Sequence, residues 1–144
     1  PDLPGFGESA AVGAFTVESA ADAVAAFVTA LGLPKVALGG LSMGGYVALA
    51  FARKYPEHLS ALILADTRAG IDDSNTRAGR EKAIELVKAE GTAALFAGML
   101  PRVLSEHTHA TDPALAERLK AVAARQKPES VAAALAALRD RPDA

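Results

Sequence analysis

The feature that most constrains the fold is a glycine-rich turn between an apolar strand and an apolar helix. Residues 36–38, Val-Ala-Leu, form a short apolar run without polar alternation, which is typical of a strand buried on both faces of a parallel sheet. This run leads into the turn 40–44, Gly-Leu-Ser-Met-Gly. The following segment, 43–54, is apolar nearly all round and stops before Pro56, so it predicts a helix buried against the sheet.

The elements around this turn predict an α/β fold. Thr16 is a good N-cap for a helix that runs to Leu31, where Gly32 and Pro34 end it. Residues 59–65 form a second apolar strand. The order helix, strand, helix, strand is the α/β signature, and it predicts two parallel strands with flanking helices.

Beyond Asp66 the pattern predicts helices alone. We expect them at 74–90, closed by Gly91, at 92–100, stopped by Pro101, at 113–126 and at 128–139. The chain therefore divides into an α/β part, residues 1–66, and an all-helical part, residues 67–144.

Composition excludes several classes of function. The formal net charge of -2 gives no broad basic surface, so we expect no nucleic-acid partner. The chain has no cysteine, which rules out disulfides, thiolate catalysis and cysteine-bound zinc. The most apolar stretch, 36–52, is broken by four glycines, so no membrane association is expected, and a cytoplasmic location is the default.

Ser42, at the centre of the turn, is the candidate nucleophile. A turn that carries a buried strand into a buried helix holds such a serine in a strained backbone and projects its hydroxyl from the sheet edge. Small neighbours avoid clashes there, and Gly40, Gly44 and Gly45 meet that need. The backbone N–H of Met43, at the start of the helix, is placed to stabilise an oxyanion.

The alternative for this turn is a phosphate-binding loop. Such a loop would carry G-x-G-x-x-G or the Gly-Lys-Ser/Thr of a P-loop, and the sequence has neither.

Three motifs resemble those of the α/β-hydrolase fold family, in particular its serine esterases and lactonases. Residues 2–9, Asp-Leu-Pro-Gly-Phe-Gly-Glu-Ser, resemble the D-x-x-G-x-G-x-S loop after the family's fourth strand, and 40–45 resemble its nucleophile elbow. Residues 55–66 resemble the end of the post-nucleophile helix and the sixth strand. The helical remainder resembles the cap that many members insert after that strand.

The resemblance implies a triad in the order serine, acid, histidine, and this chain supplies only part of it. Ser42 and the N–H of Met43 are present, whereas the resemblance places the first strands upstream of Pro1 and the usual acid and histidine downstream of Ala144. Asp66 is the best internal candidate for the acid, because some members place it after the sixth strand. The alternative is an aspartate that caps the next turn or lines the pocket.

The three histidines and the terminal aspartates are expected to have structural rather than catalytic roles. We expect His58 to supply a favourable charge or a hydrogen bond at a helix C-terminus. His107 and His109 are expected in a polar surface loop, where two histidines alone make a poor metal site. Asp140 and Asp143, beside Arg139 and Arg141, predict a solvated helix end.

The chain starts in a loop at Pro1, which favours an internal fragment over processing to a natural start. The helices 16–31 and 43–54 would cover one face of the strands and leave the other bare. An unpaired apolar strand edge invites self-association, so we expect the isolated chain to be unstable or to self-associate.

These inferences predict a serine hydrolase that cleaves a small-molecule ester or lactone, without cofactor or metal, while the chain alone is inactive. Peptidase, cofactor-free haloperoxidase and carbon–carbon hydrolase activities stay open, since family members share the motif. The second hypothesis is a non-catalytic binding or interaction protein on a degenerate form of the fold.

Overall fold

A computed structural model describes residues 1–11 and 13–143. It confirms an α/β unit followed by helices. The elements, in chain order, are α1 (Val17–Ala30), β1 (Val36–Leu41), α2 (Met43–Lys54), a 3-10 turn (Pro56–His58), β2 (Leu59–Ala65), α3 (Ser74–Glu90), α4 (Thr92–Val103), α5 (Glu106–Thr111), α6 (Pro113–Ala124) and α7 (Pro128–Asp140).

The two strands pair in parallel, as predicted, with Gly40 opposite Leu64 and Leu41 opposite Ala65. The carboxyl ends of both strands therefore lie side by side. The strands are not buried on both faces, however. Leu41 and Ile63 are 67% and 60% exposed, because the helices of the described chain cover only the opposite face.

The core of the α/β unit lies where α1 packs on α2 and α2 packs on the strands. Phe51 is fully buried there among small and branched residues of α1, including Ala20 and Ala21. Thr16 caps α1 through a capping box with Ser19, which confirms the predicted helix start.

Polar groups of the N-terminal loop hydrogen-bond to one another in residues 2–9. The N–H of Glu8 donates to the Asp2 carboxylate at 3.0 Å, and the Ser9 hydroxyl donates to the Asp2 carbonyl at 2.9 Å. The Gly7 φ of 54° is one that residues with a Cβ rarely adopt, and a Cβ there would also displace the Asp2 carboxylate, so this position favours glycine. The loop contacts the helical part where the Gly7 N–H donates to the Gln126 side chain at 3.3 Å.

The helices after β2 pack on one another, α3 against α7 and α4 against α3 and α6. Their core contains Ile84, Val87 and Ala132. The division at Asp66 into two parts stays a prediction, because the loop 2–9 and α2 also contact this helical part.

Two predicted boundaries in the helical part are wrong. Pro101 does not stop α4, which continues to Val103, because the N–H of Leu104 still reaches the carbonyl of buried Leu100 at 3.3 Å. His107 and His109 lie in the short helix α5 rather than in a loop, since Ser105 caps that helix through the N–H of Thr108.

Candidate active site

Ser42 occupies a strained backbone position between the end of β1 and the start of α2. Its φ is 50° and its ψ is -113°, a region that residues with a Cβ rarely enter. The Ser42 N–H donates to the Ala65 carbonyl at 2.9 Å, and the Ser42 carbonyl accepts from the Gly45 N–H at 2.9 Å. The side chain is exposed at the carboxyl edge of the sheet.

Two of the three elbow glycines are required by close contacts. A Cβ at Gly40 would overlap the Gly44 carbonyl and lie 2.5 Å from the Gly45 nitrogen, so strand and helix meet backbone to backbone. A Cβ at Gly45 would lie 2.5 Å from the Thr67 side chain. The expected crowding at Gly44 is not observed, because within the described chain no atom beyond its chain neighbours and its own helix backbone lies within 4 Å of that Cβ position.

Met43 is the first residue of α2, so its N–H is one of the four that bonds within the helix leave free. It directly follows Ser42 at the positive end of the helix dipole. The position fits a donor to a developing oxyanion beside the serine.

Thr67 contacts the elbow directly, although sequence reasoning missed it. Its hydroxyl donates to the Ser42 carbonyl at 2.9 Å, and its side chain lies against Gly45. A threonine two residues beyond a strand gives no sequence signal of its own. Only the parallel pairing of β1 with β2 brings it to the elbow.

Asp66 is adjacent to Ser42 across the sheet, since each follows the last residue of its strand and those residues are paired. It too has a positive φ, 45°, and it is exposed. Within the described residues its carboxylate accepts no hydrogen bond, so a role in capping the next turn is not seen. Its role as catalytic acid stays a proposal.

His58 lies at the wrong edge of the sheet to act on Ser42. It precedes β2, whereas Ser42 follows β1, and seven residues of strand separate the two edges by roughly 20 Å. Its Nδ1 lies 3.2 Å from the Pro34 carbonyl, which belongs to the loop before β1 rather than to a helix C-terminus. His58 does close the 3-10 turn Pro56–His58, so it lies at a helix end as expected, while its ring hydrogen-bonds outside that turn.

The other two histidines, His107 and His109, lie on α5, which packs against α6. Across residues 1–11 and 13–143, no three His, Cys, Asp or Glu side chains are grouped so that they could hold a metal ion. Nor does this part of the chain contain a helix with the length and apolar character needed to span a membrane.

An ionic cluster around buried Asp72 contacts α2 at Tyr46, one helical turn after Ser42. The Asp72 carboxylate, with its side chain fully buried, accepts from Arg68 at 2.5 Å, from Arg141 at 2.9 Å and from Arg80. The Arg141 guanidinium also lies 4.0 Å from the ring centroid of Tyr46 on α2. We call these four charged residues the Asp72 cluster.

The Asp72 cluster corrects the prediction for the end of the chain. Arg141 is 6% exposed rather than solvated, because it donates to the Leu138 and Gly70 carbonyls as well as to Asp72. Asp140 does lie exposed, as predicted, and pairs with Arg139. Burial raises the pKa of Asp72, but the three arginines outweigh it and lower this pKa to about 2.

A cleft of about 680 Å³ lies between the N-terminal loop, α1 and α7. Phe15, Ser130 and Ala133 line it, whereas Ser42 is not among the lining residues. The cleft is therefore separate from the serine.

The fold and the elbow together define the class of this protein. The sequence model of the α/β hydrolase fold family matches residues 1–134, and the chain belongs to that family.

Relatives of known structure share this architecture. The chain is 45% identical to a thermophilic esterase from Thermogutta terrifontis, with a TM-score of 0.93 over 99% of this chain and 53% of that one. It is 26% identical to a hydrolase from Pseudomonas aeruginosa, with a TM-score of 0.85 over 96% of this chain and 52% of that one.

A curated relative matches in sequence over a shorter region. A lipase from Mycobacterium tuberculosis is 35% identical over 77 residues, which are 54% of this chain and 30% of the lipase. The chain thus spans about half the length of these structural relatives and less than a third of this curated one.

Proposed function

We propose that the protein containing this chain is a serine esterase that hydrolyses a small carboxylic ester or lactone, with Ser42 as its nucleophile. The observation that carries this proposal is the strained, exposed position of Ser42 between β1 and α2. The 45% identity to an esterase supports the same chemistry. In this proposal residues 1–66 belong to the hydrolase core and residues 67–144 form the cap.

The proposed reaction is acyl transfer in two steps. The Ser42 hydroxyl attacks the ester carbonyl carbon while a histidine outside this chain takes its proton, and the Met43 N–H donates to the resulting oxyanion. The intermediate collapses, and the leaving alcohol takes that proton from the histidine. Water then attacks the acyl-enzyme in the same way, which releases the acid and restores Ser42.

The experiment is covalent labelling of the protein that contains this chain. A fluorophosphonate probe should label the wild type at Ser42, and the protein should hydrolyse a p-nitrophenyl ester. Ser42→Ala should abolish labelling and reduce turnover by about 10⁴-fold or more, as loss of an activated nucleophile does. The matched control is Ser60→Ala, since Ser60 is an exposed serine on β2.

Two results would contradict the proposal. One is a folded wild type that neither labels nor turns over esters, which favours the non-catalytic binding protein. The other is labelling that survives Ser42→Ala.

Asp66→Asn in the same assay decides the role of Asp66. Asparagine tolerates a positive φ as well as aspartate does, so the substitution removes the charge without straining the turn. If Asp66 is the acid, kcat falls by about 10³-fold or more while the ester KM is retained, and turnover near the wild-type level assigns the acid elsewhere.

A further inference from the structure

The peptide that joins Ser42 to Met43 carries both the anchored carbonyl and the proposed oxyanion donor. A peptide unit is planar and trans, so its C=O and N–H point in opposite directions within one rigid group. Whatever fixes the Ser42 carbonyl therefore fixes the direction of the Met43 N–H.

Two donors hold this carbonyl. One is the Gly45 N–H at 2.9 Å, which belongs to the elbow itself. The other is the Thr67 hydroxyl, also at 2.9 Å, which reaches it from the segment that follows β2. A carbonyl that accepts two hydrogen bonds is polarised, and this polarisation strengthens the N–H of the same peptide as a donor.

Thr67 is itself held on both sides. Its side chain packs against Gly45, where a Cβ would lie 2.5 Å from it, and the next residue, Arg68, donates to buried Asp72 at 2.5 Å. A threonine fixed in this way keeps its hydroxyl aimed at the Ser42 carbonyl without further loss of side-chain entropy during the reaction.

From this geometry we infer that Thr67 is a positioning residue for the oxyanion site: its hydroxyl orients and polarises the Ser42–Met43 peptide. This inference rests on the proposed function, because it needs Ser42 to form a tetrahedral intermediate. The effect belongs to the transition state alone, since a ground-state ester carbonyl carries no full negative charge.

Thr67→Val tests the inference, because valine keeps the shape of threonine and removes only the hydroxyl. In the protein that contains this chain, kcat for a p-nitrophenyl ester should fall about two- to tenfold, which is the value of one neutral hydrogen bond, with KM unchanged. Affinity for a boronic acid, which forms a tetrahedral adduct on serine, should fall by the same factor. Thr67→Ser should restore both.

The matched control is Thr111→Val in α5, where the Thr111 hydroxyl donates to the His107 carbonyl at 2.8 Å. It removes the same kind of hydrogen bond and should leave kcat and boronate affinity unchanged. If Thr67→Val does not fold, Thr67→Ala and Thr67→Ser replace it, and the serine variant should exceed the alanine variant in boronate affinity.

Three results would overturn the inference. The first is Thr67→Val with wild-type kcat and boronate affinity. The second is a loss that appears in KM alone, and the third is a Thr67→Ser variant no better than valine or alanine, which would indicate packing. All three are read in a protein that labels at Ser42, so they differ from failure of the proposed function, in which the wild type itself does not label.

Discussion

At Ser42 the backbone holds a conformation that costs about 1–3 kcal/mol for a residue with a Cβ. Local contacts compensate: the Ser42 N–H is bonded to Ala65, and its carbonyl accepts from Gly45 and Thr67. The close approach of strand and helix at Gly40 fixes the sharpness of the turn. The strained backbone conformation of Ser42 is therefore maintained by several neighbouring residues together.

Gly40→Ala should destabilise the elbow, because the new Cβ meets backbone atoms that cannot rotate away. We expect the free energy of unfolding to fall by about 3 kcal/mol or more, at or above the upper end of the range for overpacked cores. Thermal or urea unfolding of the protein that contains this chain measures this change. Gly79→Ala is the control, since that position is exposed in α3 and, beyond its chain neighbours and its own helix backbone, no atom of the described chain lies within 4 Å of an added Cβ. It should be neutral or stabilising by up to about 1 kcal/mol. Equal stability of the two variants would contradict the steric account.

At the scale of elements, the Asp72 cluster joins segments that the sequence keeps far apart. Arg80 comes from α3, Arg141 follows α7, and the aromatic contact of Arg141 reaches Tyr46 on α2. A buried carboxylate costs free energy unless it is paired, and here three guanidinium groups pair it. The cluster therefore attaches the helical part to α2, the helix that begins directly after Ser42.

This pairing makes stability depend on pH. The pKa of Asp72 in the folded protein is about 2, below its ordinary value of 3.8, so the ionised carboxylate stabilises the fold. That contribution is complete above about pH 5 and is lost as the pH falls through about 2. Unfolding followed between pH 5 and 2 should show the loss.

Asp72→Asn should remove that part of the acid dependence and cost about 3–5 kcal/mol at neutral pH, because it leaves buried Arg141 and mostly buried Arg80 without their counter-charge. Asp140→Asn is the control, since Asp140 pairs with Arg139 at an exposed site and should cost less than about 1 kcal/mol. If both variants unfold alike, the Asp72 cluster does not hold the elements together.

At the scale of the whole molecule, the two strands form a sheet that only one layer of helices covers. Leu41 and Ile63 project from the open face, and within the described residues both outer strand edges lack a partner strand. Unpaired edges beside exposed apolar side chains favour pairing with another chain.

A protein made of residues 1–144 alone should therefore self-associate at micromolar concentration, as measured by analytical ultracentrifugation. Ile63→Lys should shift it toward monomer, because a charge on the open face opposes apolar contact. Val122→Lys is the control, since Val122 is exposed on α6, away from the sheet. A wild-type monomer with a cooperative melt would refute this prediction.

The sequence alone was enough to predict the α/β class, most element boundaries and the position of Ser42. These follow from local chemistry: apolar periodicity, caps such as Thr16, and glycines where strand meets helix. The local pattern was wrong at Pro101, where the helix continues to Val103 and the Leu104 N–H still bonds to the Leu100 carbonyl despite the helix-breaking tendency of proline.

Only the tertiary structure determined the contacts between residues that are distant in sequence. Thr67 reaches the Ser42 carbonyl because β1 and β2 pair in parallel, and Arg141 is buried because α7 brings it back to Asp72. No local sequence pattern identifies Thr67 or Arg141. The local conformational preferences of a threonine or an arginine do not depend on which distant residues it contacts in the folded protein. The sequence by itself determined where the proposed nucleophile, Ser42, lies, and only packing determined which groups hold it in place.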